Sequence, residues 1–319
     1  MEETTSAVRY PTQDAAPART RGRGRTEHNR AYRGELRLLL GPYLVGTLIL
    51  VAIPALMTFA LAFAEYDALA APTWAGLQNF RIIFAERLLW TALRNSLYFI
   101  VLAVPMRVLG ALALALLLHQ RRRGVGAYRA AIYLPTVIPD VAYALIWLWI
   151  FNPFYGPLNL ILTTLGLPAP AWLVNPETAK LAIVIMSLFQ IGEGFVVLLA
   201  GLQDVPPDFY DAAAVDGASR WQSFRFITLP LLMPWLTLLT FRDVIISFQN
   251  TFTPAYIMTG GDPYYATLFL PLLIYEEAFD RFRFGQGSAM MLLMFLVTML
   301  LIVLLYFIFR MQRGHTDDI

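Results

Sequence analysis

The 319-residue chain contains no cysteine, which excludes disulfide scaffolds, thiol nucleophiles and thiolate metal sites together. Its three histidines, His28, His119 and His315, never pair at a metal-ligand spacing such as HExxH, so a histidine metal centre is not expected. The single lysine, Lys180, stands in Glu177-Thr178-Ala179-Lys180-Leu181. It lacks both the preceding glycine-rich turn and the following Ser or Thr of a P-loop, and the chain cannot supply that ATP-binding motif. Charge is scarce as well, at 14% of residues, against about 25% in ordinary soluble domains. The 24 basic and 22 acidic residues leave a net charge of only +2, which argues against a globally basic nucleic-acid binder. What fills the chain instead is apolar: 58% of residues are aliphatic or aromatic.

A bilayer's hydrocarbon core takes about 20 apolar residues in a helix. Six stretches meet or approach that length, near 38–64, 96–118, 130–151, 181–203, 231–258 and 286–309. Prolines at positions 42, 54, 105, 135, 139 and 234 fall within the first, second, third and fifth, so kinked, bundled helices are expected. Basic residues set the orientation. Eight arginines precede the first span, four lie in the second connection, two in the fourth and two after the last span, sixteen in all, against six in the alternate connections. Both termini are expected in the cytoplasm. Residues 1–36 are rich in Arg, Thr, Ala and Gly without hydrophobic period and read as a disordered cytoplasmic tail. A six-span domain is expected over 37–311, with a short tail at 312–319. The first span, much longer than the roughly 7–15 residues of a signal-peptide core, reads as a retained helix.

The fourth connection, 204–230, reads DVPPDFYDAAAVDGASRWQSFRFITLP. Pro206 and Pro207 suit a helix's first turn, where a missing amide hydrogen costs nothing. A first helix is expected to end near Asp216, with Gly217 supplying the left-handed residue that closes it. Ser219 followed three residues later by Gln222 is a capping-box start for a second short helix. Phe209, Tyr210, Trp221, Phe224 and Phe226 are costly to leave in water and imply burial against another protein or the base of the bundle.

Asp211-Ala212-Ala213, then Gly217 after three residues, then Ile227, Leu229 and Pro230 after nine more, resemble the EAA loop of binding-protein-dependent ABC importer permeases. Asp211 stands where that family usually has Glu. The Asp216-Gly217-Ala218 form, Gly76-Leu77-Gln78-Asn79-Phe80, Tyr256-Ile257-Met258-Thr259-Gly260-Gly261-Asp262-Pro263 and Phe284-Gly285-Gln286-Gly287-Ser288-Ala289 are similar to segments of the maltose, lactose and glycerol-phosphate uptake permeases. The likeness covers roughly residues 38–310. It implies an all-α membrane protein built on the six-helix core of the type I, MetI-like, ABC importers. It implies a second, similar permease subunit, two cytoplasmic ATPase subunits that carry ATP and magnesium, and an external solute-binding protein. No cofactor is expected on this chain, no catalytic residue and no metal. The resemblance assigns coupling to the ATPases to Asp211, Ala212, Ala213, Asp216, Gly217, Phe224, Ile227, Leu229 and Pro230, and places the chain in the cell inner membrane as a sugar permease.

Ionisable residues at bilayer depth cost at least about 2.5–3.5 kcal/mol each, so they face partners or a wet path. Five fall near the middles of their spans: Arg107, Asp140, Glu193, Arg242 and Asp243. Ser187, Gln190 and Glu193 repeat at three-residue steps, and Asp243, Ser247 and Asn250 at i, i+4, i+7, so each helix carries one polar stripe. The candidate sugar path is Gln190, Glu193, Asp243, Ser247, Gln249, Asn250 and Phe252. Helix-to-helix pairing without substrate contact is the alternative reading of the stripes and the preferred one for Arg107 and Asp140. The glycines of Gly192-Glu193-Gly194 either open room beside the carboxylate or admit a neighbouring helix. The longer connections 152–179 and 259–285 are expected to form the docking face for the solute-binding protein. Two further functions compete: a proton-coupled secondary transporter using Asp140, Glu193 and Asp243, and an ABC permease for a non-sugar solute.

Overall fold

The computed structural model describes residues 38–120 and 123–314, with side chains as far as Arg310. The expected tails, 1–36 and most of 312–319, lie outside the described residues. The chain divides into two units, Met1–Met57 and Thr58–Ile319. Helix α1 (Leu38–Leu61) begins in the first unit, and its side chains from Leu38 to Met57 are almost all apolar and largely exposed. Its π turn, Leu48–Ala52, sits just before Pro54, whose ring would collide with the carbonyl four residues back in a regular helix.

The second unit continues through a two-stranded antiparallel hairpin, β1 (Ala64–Glu65) and β2 (Thr73–Trp74). Helices follow in the order α2 (Gln78–Ala85), α3 (Arg87–Leu118), α4 (Val125–Val137), α5 (Asp140–Ile150), α6 (Pro157–Thr164), α7 (Pro176–Leu188), α8 (Gly192–Gln203) and α9 (Pro207–Val215). The last three are α10 (Arg220–Thr259), α11 (Leu270–Tyr275) and α12 (Phe284–Gly314). By length and composition α1, α3, α10 and α12 can each cross a membrane, and the pairs α4–α5 and α7–α8 bring the number to six if each is one span.

Four spans differ from the sequence reading, the second by beginning at Arg87 rather than near residue 96. The third is folded back on itself: α4 and α5 meet at 103°. Ile138, which precedes Pro139, is extended at φ −72° and ψ 129°, because the proline ring disfavours helical geometry one residue upstream. The fourth bends by 44° between α7 and α8 with no proline to announce it. The fifth begins at Arg220 rather than near residue 231, so the second helix of the fourth connection is not a separate short element but the first turns of α10.

Helix α3 is the centre of the packing. One half of it, with Phe99 and Ala103, joins Phe269, Leu272 and Met290 in one core cluster; the other, with Ala111 and Ala115, joins Phe195, Leu198, Leu232 and Leu239 in a second. Helix α3 therefore runs parallel to α7–α8, and its last turn lies at the same end as the α8–α10 connection. The opposite end is knitted by side chains bonding to distant backbone. Asn79 Nδ2 donates to the carbonyls of Ala62 and Ala64 at 3.0 and 2.8 Å. Asn95 Nδ2 donates to those of Tyr265 and Leu268 at 2.8 and 3.0 Å, and Ser96 Oγ accepts from the Leu270 amide at 2.9 Å. Gly285 closes this end, its amide donating to Tyr66 O at 3.2 Å; a Cβ there would overlap the Ala64 carbonyl oxygen.

Candidate functional site

The α9–α10 elbow is built from local rules. Pro207 occupies the first turn of α9 and Asp208 follows it there, where a carboxylate meets the positive end of the helix dipole. At the other end Gly217 takes φ +76°. The Ala218 amide reaches back to Ala213 O at 2.9 Å and the Gly217 amide to Ala214 O at 3.1 Å, the paired bonds of a Schellman closure. Two residues on, Ser219 Oγ accepts from the Gln222 amide at 3.3 Å and Gln222 Oε1 from the Ser219 amide at 2.7 Å. That reciprocal capping box fixes the start of α10. Tyr210 and the buried Thr228 join their hydroxyls at 2.9 Å, tying the two helices across the turn.

The elbow leaves its apolar side chains in the open: Phe209, Val215, Trp221 and Phe226 are 51%, 88%, 67% and 70% exposed. Asp211, Ala212, Asp216 and Pro230 are also exposed, while Ala213, Phe224, Ile227 and Leu229 are half-buried. Asp211 makes no hydrogen bond or ion pair among the described residues. A π turn over Phe224–Thr228 accommodates Pro230 before α10 descends into the bundle with Leu232 fully buried.

Halfway along α10 two ion pairs of different character lie side by side. Arg107 of α3 places Nε 3.0 Å from Asp243 Oδ2, and a second nitrogen bonds Ser247 Oγ, which itself donates to Asp243 O at 2.6 Å. The Arg107 guanidinium also sits 5.8 Å from the Phe99 ring centroid. These side chains are only 7% and 12% exposed for Arg107 and Asp243, whereas the adjacent pair of Arg242 with Glu193 is 40% and 50% exposed. A cavity of ≈ 20 Å³, room for about one water, is bordered by Arg107 and Asp243 of one pair, Arg242 of the other, and Gln190. Gly192 answers the question its motif raised: a Cβ there would come within 2.9 Å of Ile132 O, so α4 approaches at that point. Asp140 is exposed in the first turn of α5, at the sharp break, where the helix dipole favours a carboxylate.

The candidate path residues thus separate into two groups. Asp243 and Ser247 are buried against Arg107; Glu193, Gln249 and Asn250 are exposed, and Gln190 and Phe252 half-buried. Phe252 stacks on Tyr256 with centroids 5.6 Å apart and an interplanar angle of 15°. Beyond it lies a feature not read from the sequence, a succession of rings leading through Tyr275 to Phe284 and Tyr66. The signal was present, since 252 and 256, and 275 and 279, are aromatic pairs four apart on helical segments. The succession ends at a cavity of ≈ 360 Å³ lined in part by Glu65, Tyr66, Asp67, Phe282, Arg283 and Gln286. Asp67 Oδ1 accepts from the Leu69 and Ala70 amides at 3.0 and 3.1 Å. Those bonds, the Ala70 one foremost, hold its carboxyl below the ordinary carboxylate value. In the turn after α11, burial raises the carboxyl of Glu276 above the ordinary value. Among the described residues no cluster of three or more His, Asp or Glu could hold a metal ion.

An exposed elbow between two candidate spans, with ion pairs midway along α10 inside an apolar bundle, is the architecture of a membrane-embedded component. Residues 107–314 match the family described as the binding-protein-dependent transport system inner membrane component, and the chain belongs to that family. It is 35% identical over 272 residues to the probable ABC transporter permease protein YesP of Bacillus subtilis, covering 84% of this chain and 87% of that one. To the trehalose/maltose transport system permease protein MalF of Thermococcus litoralis it is 31% identical over 278 residues, 86% of this chain and 94% of the relative. The fold is that of a chain in the crystal structure of a bacterial alginate ABC transporter in complex with alginate pentasaccharide-bound periplasmic protein, with TM-score 0.75 at 22% identity over 89% of this chain and 96% of that one. The expected all-α permease fold is therefore observed, and the chain is an inner-membrane permease component of a binding-protein-dependent ABC importer.

Proposed function

We propose that the chain conducts a sugar, beside a second permease subunit, and that two ATP-binding subunits drive it through the elbow. ATP and magnesium belong to those subunits; this chain holds no cofactor and hydrolyses nothing. The excess of arginine at the elbow end puts both termini and the elbow in the cytoplasm and turns the hairpin, α6 and α11 outward, where the solute-binding protein docks. The sugar reading is supported by relatives named for trehalose and maltose, for sulfoquinovosyl glycerol and for starch degradation products.

The observation that carries the proposal is the elbow itself: doubly capped, tied by Tyr210 to Thr228, and presenting largely exposed apolar side chains. A stiff projection with Phe209, Trp221 and Phe226 exposed is the kind of surface a partner buries at the centre of an interface. Because α10 is one helix from Arg220 to Thr259, displacement of its first turn reaches Asp243, roughly 35 Å away, without crossing a loop. Closure of the ATPase pair would move the elbow, and α10 would carry that motion to the Arg107 layer and rock the bundle between its two open states. Gln190, Glu193, Gln249, Asn250 and Phe252 are assigned to the sugar path, with Asp243 and Ser247 behind it as the support that Arg107 locks.

The test is purification in mild detergent followed by reconstitution. Co-purification of a second permease and an ATPase, with ATP-dependent sugar uptake, is expected. Gly217→Pro and Asp211→Ala are expected to abolish ATP-driven uptake while the complex still inserts, since proline cannot adopt φ +76° and Asp211 is an exposed carboxylate with no hydrogen bond or ion pair among the described residues. Uptake by the isolated chain, abolished by a protonophore and indifferent to ATP, would overturn the proposal.

A further inference from the structure

The succession of rings at the end away from the elbow is continuous. Phe252 lies 5.3 Å from Tyr275, and Tyr256 contacts both. Tyr275 lies 5.3 Å from Phe279, Phe279 5.7 Å from Phe284, and Phe284 5.7 Å from Tyr66, centroid to centroid. The rings come from four separate parts of the chain: the end of α10, the α11 segment, the start of α12 and the hairpin. Packing alone does not account for them, because Tyr256 and Phe279 are 48% and 57% exposed rather than sealed in a core.

The ladder is held rigidly from behind. After α11 the chain makes a π turn over Glu276–Asp280. Glu277, fully buried, pairs with Arg281 and lies 3.6 Å from Arg283, while its carbonyl accepts from the Arg283 amide at 2.8 Å. The turn thereby fixes Phe279 between Tyr275 and Phe284. A ladder so preorganised has little conformational entropy to lose when something lies against it.

Two ends bracket the ladder. At Phe252 it meets the exposed amides Gln249 and Asn250; at Tyr66 it opens into the ≈ 360 Å³ cavity, within the size range of small-molecule sites. That cavity is not a lipid's. Glu65, Arg283 and Gln286 border it, and Gln286 Oε1 is buried without a hydrogen-bond partner among the described residues. The lining suits a ligand that offers hydroxyls to Glu65, Asp67 and Arg283 and a flat apolar face to the rings. A pyranose does both, through its equatorial hydroxyl rim and its axial C–H bonds.

We infer that Tyr66, Phe284, Phe279, Tyr275, Tyr256 and Phe252 form an aromatic track on which pyranose units of a saccharide slide from the outer cavity to the intramembrane amides. This rests on the sugar reading given above and extends it: the substrate is a carbohydrate with pyranose rings, and the chain contributes recognition of its own beyond that of the solute-binding protein.

The test uses the whole complex in nanodiscs prepared without glycoside detergents, with maltotriose, trehalose and an alginate trisaccharide as probes. Saturation-transfer NMR is expected to mark the ring-face C–H protons of at least one probe. Tyr256→Ala and Phe279→Ala are each expected to reduce that transfer and the uptake rate in proteoliposomes about fivefold, the scale of one aromatic contact. Tyr256→Phe, which keeps the ring, is expected to restore both, and basal ATP hydrolysis is expected to stay unchanged. Sugar uptake with transfer unaltered by the alanine variants overturns the track alone, as does a covering of Phe279 by the second permease, read as a cross-link from Phe279→Cys. A complex that neither binds nor imports any saccharide overturns the track and the sugar reading together.

Discussion

The elbow and the Arg107 layer share helix α10 and are held by opposite means. The bonds that cap the elbow's two helices join residues no more than five apart, its one longer tie, Tyr210 to Thr228, spans eighteen, and most of its surface is exposed. The layer joins Arg107 to Asp243 and Ser247, 136 and 140 positions away, and is buried. The elbow's geometry is therefore cheap to change locally and matters for what docks on it. The layer's geometry is costly to disturb, because the charges it brings into the bundle are tolerable only as a set.

That contrast can be broken most forcefully at Arg107. Arg107→Ala strands the Asp243 carboxylate and is expected to cost about 3–5 kcal/mol of stability, read as reduced complex yield and a lower unfolding temperature in detergent. Pairing it with Asp243→Leu is expected to recover most of the loss, since removing both charges removes the unpaired one. Equal damage in the single and double variants would show that the residues do not act as a pair.

The elbow gives smaller effects. Gly217→Ala forces a side chain into the left-handed region, at a cost of about 1–2 kcal/mol, and is expected to speed hydrogen exchange at the amides of Gly217 and Ala218 without moving the global transition. Ser219→Ala removes one arm of the capping box, about 1 kcal/mol, with faster exchange confined to the first turn of α10. A fall in global stability matching that of Arg107→Ala would erase the distinction between the regions.

Smallest in stability is the outer pair. Because Arg242 and Glu193 are about half exposed, Arg242→Gln is expected to cost no more than about 1 kcal/mol. Glu193→Leu is expected to lower uptake more than complex yield. Unchanged uptake would return Glu193 to a purely structural role.

Much of the elbow is legible in the sequence. Pro207, Gly217, Ser219 and Gln222 each act within a turn of their own position, so the order of residue types carried the geometry. The length of its second helix was not, because proline at 230 reads as punctuation and only a π turn lets the helix run on through it. The six apolar stretches were legible by hydropathy, and their continuity was not. Gly192-Glu193-Gly194 offered the close approach of a neighbouring helix as one of two readings, and α4 takes it, but nothing in that span announces the 44° bend.

The polar stripes on α8 and α10 were readable as periodicity, but their division into a buried lock and an exposed face was not. Periodicity names a face without naming what lies against it. Asp243 and Asn250 share a stripe, yet one meets Arg107 and the other is open. The aromatic track went unread for the same reason, its rings being drawn from segments up to about two hundred residues apart.

Composition and local order determined that this chain lies in a membrane, where it turns, and how the elbow is capped, because hydropathy, dihedral preference and helix-end hydrogen bonding act over a few residues. The tertiary structure alone decided which charges are paired, where two spans break and which rings line up. Those outcomes depend on which distant segments are brought within a few ångströms of each other, and no spacing along the chain records that.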